Sequence, residues 1–202
     1  MSQMVGLLER LRPWAARHRV VLNRVAIVLL LLFVTHPRNH VFFFFGLAVA
    51  FAGSLLRLWA RLALLEAPGR FQSQGPYELV RHPLYLGTIL QALGLWVACF
   101  GFRKIFSFVL FGLMLAAYFF FIYKEAILLE EEDSARKWPK EWDDYMARTP
   151  ALIPEGNFLE RIDFFHFKFS TVINMNDTGE LRNFAACLGL FSLLWLKLVY
   201  RL

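Results

Sequence analysis

Several runs of apolar side chains, each near or above the ~18 residues needed to cross a bilayer, constrain this chain more than any other feature. They cover roughly 20–35 ("VVLNRVAIVLLLLFVT"), 41–63, 84–101, 105–128 and 181–199. In hydrocarbon such a run satisfies its backbone hydrogen bonds internally only as a helix or within a closed barrel, and runs of this length fit helices. A soluble helical core is the competing reading, but it does not need several runs this long. Apolar residues make up 58% of the 202, above the ordinary soluble range of roughly 45–50%. The expectation is an all-α integral membrane protein of about five transmembrane helices. An N-terminal amphipathic helix and a cytoplasmic helical segment complete a single membrane domain over 1–202.

Residues 3–18 alternate Val5, Leu7, Leu8, Leu11 and Trp14 with arginines, a pattern that suits a helix lying in the membrane interface or a frayed terminus. No small-residue cleavage pattern follows an apolar core there. Net charge is +6. The basic residues flank apolar runs, so membrane orientation and anionic headgroups account for them and no nucleic-acid partner is expected. With the N-terminus inside, Arg10, Arg12, Arg17, Arg19, Arg70, Arg81, Lys124, Arg136, Lys137, Lys140, Arg148, Arg161 and Lys168 share the inner face. Only Arg38, Arg103, Lys104 and Arg201 fall outside, which predicts a cytoplasmic N-terminus. Cys99 and Cys187 sit inside apolar runs and read as small buried hydrophobes, with no metal-ligand spacing.

Two polar clusters interrupt this pattern. Arg81-His82-Pro83 abuts the third run, and Glu130-Glu131-Glu132 follows the fourth. Read singly, the first is a headgroup anchor with Pro83 at the first helical position. The second is a solvated turn with Glu132 paired to Arg136. Read together, they close one helical hairpin at the same membrane face, where ionisable residues are candidates for function. Pro139 must kink or split the charged helix that follows. Residues 155–180 read as an interfacial segment, and Asp177 with Glu180 as a capping box opening a last span over 181–199. Gln91 reads as an interhelical hydrogen-bonding residue.

"GPYELVRHPLYLG", 75–87, resembles the Gly-x-Tyr-x-x-x-Arg-His-Pro-x-Tyr-x-Gly signature of the integral-membrane methyltransferases. These are the isoprenylcysteine carboxyl methyltransferases and the phospholipid N-methyltransferases. "EEEDSARKWPKEWDDYMARTPALIP", 130–154, is similar to their second motif, with Trp138, Trp142, Tyr145, Pro150 and Pro154 at its aromatic and proline positions. Ser134 and Pro139 depart from that pattern, which bears on substrate and activity more than on fold.

The resemblance implies S-adenosylmethionine as cofactor, framed by Tyr77, His82, Pro83, Tyr85, Gly87, Glu130 and Glu131. Arg81 and Glu131 would lie nearest the reacting atoms. It implies methyl transfer at the cytoplasmic face to a lipid-like or prenylated acceptor bearing a carboxylate, with membrane lipids as the other partners. A phospholipid amine N-methyltransferase, a sterol-reductase-like NADPH enzyme and a non-catalytic scaffold are the alternatives.

Overall fold

The computed structural model describes residues 37, 39–66, 68–100, 105–155 and 179–200. Six helices follow one another there: α1 His40–Glu66, α2 Pro76–Leu79, α3 Pro83–Phe100, α4 Ile105–Lys137, α5 Pro139–Arg148 and α6 Gly179–Tyr200. No strand occurs among the described residues. Helices α1, α4 and α6 are long and apolar enough to cross a membrane, and Pro83–Cys99 is a shorter apolar helix. The protein is therefore an all-α membrane protein. Of the about five expected spans, the described residues hold three long helices plus the shorter one. The run at 20–35, the N-terminal amphipathic helix and residues 156–178 lie outside them.

The sequence determines where each helix begins. Asn39 opens α1, its side-chain oxygen accepting the Val41 N–H at 2.8 Å, as an N-cap does. Pro83 opens α3, where a missing N–H costs nothing, and the His82 carbonyl accepts from Leu86 at 3.0 Å. Helix α4 is 33 residues long, hence about 50 Å, against a hydrocarbon core of roughly 30 Å. Its acidic end, with Glu130 and Glu131, thus extends past the lipid on the same helix that spans it. The predicted break falls at Pro139, which takes the first position of α5 after Trp138. Arg136 and Glu132 pair at 3.2 Å on the exposed surface, as their spacing predicts.

Helices α1 and α3 are the closest-packed pair. A methyl group placed at Gly94 would lie 2.4 Å from the Gly46 carbonyl and 2.6 Å from the Ala50 nitrogen. One placed at Gly46 would lie 2.3 Å from the Gly94 carbonyl. Lipid supplies no hydrophobic drive between helices, so association rests on such backbone approach, which small residues permit. Helix α6 covers the same pair: Phe191, Leu194 and Leu198 pack with Phe43, Leu95, Ala98 and Cys99. Trp195 stacks at a tilt on Phe43, centroids 5.4 Å apart. Helix α4 leans on α3 through Trp96, whose ring stacks on Phe108 at 4.1 Å and whose N–H donates to the Phe108 carbonyl. Phe106, Leu113, Met114 and Phe120 stay exposed for lipid to cover.

Gly94 and Gly189 form a matched pair for a test. A methyl at Gly189 would meet nothing within 4 Å. Gly94→Ala is expected to destabilise by about 1–3 kcal/mol through overpacking. Gly189→Ala is expected to be neutral or stabilising by up to about 1 kcal/mol, from helix propensity. Thermal unfolding of the two variants in detergent checks this; equal midpoints would contradict the tight contact.

Candidate functional site

The Arg-His-Pro turn is shaped before its side chains act. Gly75 holds φ +63°, a left-handed conformation that favours glycine, and so reverses the chain into α2. Beyond α2, the Arg81 N–H donates to the Pro150 carbonyl at 2.8 Å and the His82 N–H to the Ala151 carbonyl at 3.1 Å. The two polar motifs are therefore joined through their backbones. The Tyr145 hydroxyl donates to the Tyr77 carbonyl at 2.7 Å, docking α5 against α2.

The Arg81 guanidinium completes the junction. Its Nε donates to Glu131 Oε1 at 2.9 Å, and its Nη2 lies 2.8 Å from the same oxygen. Its Nη1 donates to the Thr149 carbonyl at 2.9 Å and the Met146 carbonyl at 3.2 Å, the unpaired acceptors at the end of α5. Its face lies 6.0 Å from the Trp142 ring centroid. One planar fork thus binds α3's start to the ends of α4 and α5, a task a lysine ammonium performs poorly.

His82 places Nε2 3.1 Å from Glu131 Oε1 and Nδ1 3.8 Å from Glu130 Oε2. Burial pushes its pKa below the ordinary 6.5, although the bond to Glu131 acts in the opposite direction. Arg81 is engaged with Glu131, and Glu130 beside them is half exposed. The Tyr85 hydroxyl donates to Glu130, and the Tyr85 ring stacks on His82 with centroids 5.5 Å apart. Glu131 Oε2 has no hydrogen-bond partner among the described residues.

The structure therefore brings Arg81, His82, Tyr85, Glu130 and Glu131 together. It places the other candidates differently. Tyr77 packs with Ala60, Ala63, Trp142 and Tyr145 in a buried cluster, and burial pushes its phenol well above the ordinary value. Pro83 is buried as the first residue of α3. Gly87 faces α1, where a methyl would lie 2.7 Å from the Gly53 carbonyl and 2.5 Å from Arg57 Cγ. Sequence reasoning missed the Thr149, Pro150 and Ala151 carbonyls, because main-chain acceptors leave no residue signature. No group of three or more His, Cys, Asp or Glu among the described residues is placed to hold a metal ion.

The chain is 28% identical over 162 residues to the cobalt-zinc-cadmium resistance protein CzcN of Cupriavidus metallidurans, spanning 76% of this chain and 71% of that protein. It is 28% identical over 156 residues to the nickel-cobalt-cadmium resistance protein NccN of Alcaligenes xylosoxydans xylosoxydans, spanning 71% and 68%. No family model and no solved structure matches. These relatives are named for metal resistance, not for methyl transfer. That finding corrects the expected membership in the membrane methyltransferases, the expected methyl transfer to a lipid-like carboxylate and the expectation of an enzyme. The amine-methylating, sterol-reductase-like and scaffold alternatives gain no support from it either.

Arg81→Ala leaves Glu131 without its cation and two carbonyls without a donor. Breaking a buried pair costs about 3–5 kcal/mol, so amide exchange over 139–151 is expected to accelerate at least 100-fold. Unchanged exchange there would contradict the clamp. A second expectation follows from His82. Its folded pKa is lowered, so the associated stability is full above about 6.5 and lost as pH falls below that value. His82→Gln should flatten that part of the pH–stability curve.

Proposed function

We propose that this chain is a multi-pass membrane component of cellular resistance to divalent transition-metal cations of the cobalt, nickel, zinc and cadmium group. One observation carries the reading: 28% identity over 162 residues, and over 156, to two proteins named for such resistance. The cluster at the start of α3 is its functional site. Among the described residues no donor set suits a tightly held ion, and the Arg81 guanidinium opposes a cation beside Glu131. The chain therefore supports resistance without itself storing the metal at this cluster. The positive flanks favour a cytoplasmic face for the cluster and the N-terminus.

The half-exposed carboxylate of Glu130 favours a small ligand with a positive centre over an anionic one. S-adenosylmethionine, with its sulfonium and ammonium, fits that preference as a ligand, with no reaction attached to it. Membrane lipids, and a lipid-like molecule beside Tyr85 and Tyr123, are the other proposed partners. Stabilisation of the purified protein by S-adenosylhomocysteine would support this ligand, and an unshifted melting curve would remove it.

Disruption of the gene in its native host is expected to lower the growth-inhibiting concentration of at least one of the four cations twofold or more, restored by the intact gene. Unchanged tolerance to all four would refute the reading. For orientation, a single cysteine at Gln74, in a Cys99→Ala and Cys187→Ala background, should resist an impermeant thiol reagent applied to intact cells. Labelling from outside would reverse the topology.

A further inference from the structure

Away from the cluster, an ionic contact joins two helices inside the packed bundle. Arg57 of α1 extends a fork to Glu180 of α6, Nε to Oε2 at 2.9 Å and Nη2 to Oε1 at 2.6 Å. Both side chains are mostly buried. The capping box expected of Asp177 with Glu180 lies partly outside the described residues, which do not include Asp177. The remaining Arg57 nitrogen, Nη1, donates to the Leu84 carbonyl at 3.0 Å and to the Thr88 hydroxyl. Thr88 in turn donates to the Leu84 carbonyl at 2.9 Å. Gly87 leaves room for the Arg57 stem. One turn deeper, Gln91 donates to Ser54 at 2.7 Å and accepts from Asn183 at 3.4 Å.

Ionisable residues inside membrane-spanning helices are costly, so Arg57 needs a reason to remain. Anchoring α6 is a weak reason. Apolar side chains of similar volume often replace a buried ion pair without loss, and Phe191, Leu194 and Leu198 already hold α6. What apolar contacts lack is directionality. The Arg57 fork holds Glu180 on one edge and the first turn of α3 on the other. Leu84 precedes Tyr85 in that turn, and His82 caps it.

We propose that Arg57 and Glu180 form a positioning device: α6 sets the rotation of the first turn of α3 through Arg57, and so fixes His82 and Tyr85 against Glu130 and Glu131. The inference rests on reading that cluster as the functional site. Helix α3 is then gripped at one turn from two sides, by Arg81 with Glu131 and by Arg57 with Glu180. The C-terminal span is part of the site's construction and not a detachable anchor.

The test uses the full chain in lipid nanodiscs, with diethylpyrocarbonate modification of His82 measured against exposed His40 by mass spectrometry. Thr88→Val removes the hydroxyl while keeping shape and ion pair; Thr88→Ser keeps the hydroxyl. Glu180→Gln and Arg57→Lys alter the fork itself. Thr88→Val, Glu180→Gln and Arg57→Lys are expected to raise the His82-to-His40 rate ratio at least threefold. They are also expected to move the pH midpoint of His82 modification, which Arg81, Tyr85, Glu130 and Glu131 surround, upward toward 6.5. Thr88→Ser should match the unaltered protein. An unchanged ratio and midpoint in Thr88→Val, at unaltered melting temperature, would overturn the proposal and leave the pair as an anchor only. If His82 shifts while cells carrying Thr88→Val keep full metal tolerance, the coupling stands and the functional reading of the cluster falls.

Discussion

The fork of Arg81 is the constraint on which the end of the bundle where α3 starts and α4 ends depends. Three segments far apart in sequence meet there: the start of α3, the projecting end of α4, and the carbonyls that close α5. A guanidinium with Glu131 on one edge and two carbonyls on the other satisfies groups that would otherwise be stranded beside lipid. The backbone bonds from Arg81 and His82 to Pro150 and Ala151 extend the same junction. A residue bound to three segments in this way is architecture first.

The membrane-spanning part obeys a different rule. There the helices approach until backbone meets backbone, at Gly46 against Gly94 and Gly53 against Gly87. Polar side chains are few and directional, in two layers at Arg57 and Gln91. Close packing fixes how far apart α1 and α3 lie, and the polar layers fix how they are turned. Together they carry order from the outer aromatic contacts of Trp195 to the Arg-His-Pro turn.

Much of this was legible in the sequence. Apolar run length identified the helices, because hydrocarbon leaves the backbone few alternatives. Charge placement brought Arg81-His82 and Glu130-Glu131 to one face, and the structure makes them touch. Pro139 split its helix as steric necessity requires. Arg57 with Glu180 was not legible, since the partners are 123 residues apart and each has an ordinary local reading, as a snorkelling arginine and as a cap. The Gly46, Ala50, Gly94 and Ala98 spacing was present as a signal but dissolved into runs read only for hydrophobicity. The resemblance to methyltransferases rested on short motifs whose residues here perform junction work, and similarity across most of the chain leads instead to metal-resistance proteins. Short motifs report a local geometry, and a local geometry can serve more than one activity.

The proposed part of the cluster in metal resistance turns on the Glu130 carboxylate. Glu130→Gln keeps an acceptor for the Tyr85 hydroxyl and removes only the charge, while Glu132→Gln removes a charge of the exposed surface pair with Arg136. The direct measurement is the growth-inhibiting cobalt, nickel, zinc and cadmium concentration for cells carrying each variant at matched membrane levels. Lost tolerance is expected with Glu130→Gln and full tolerance with Glu132→Gln. Equal tolerance in the two would contradict the proposal.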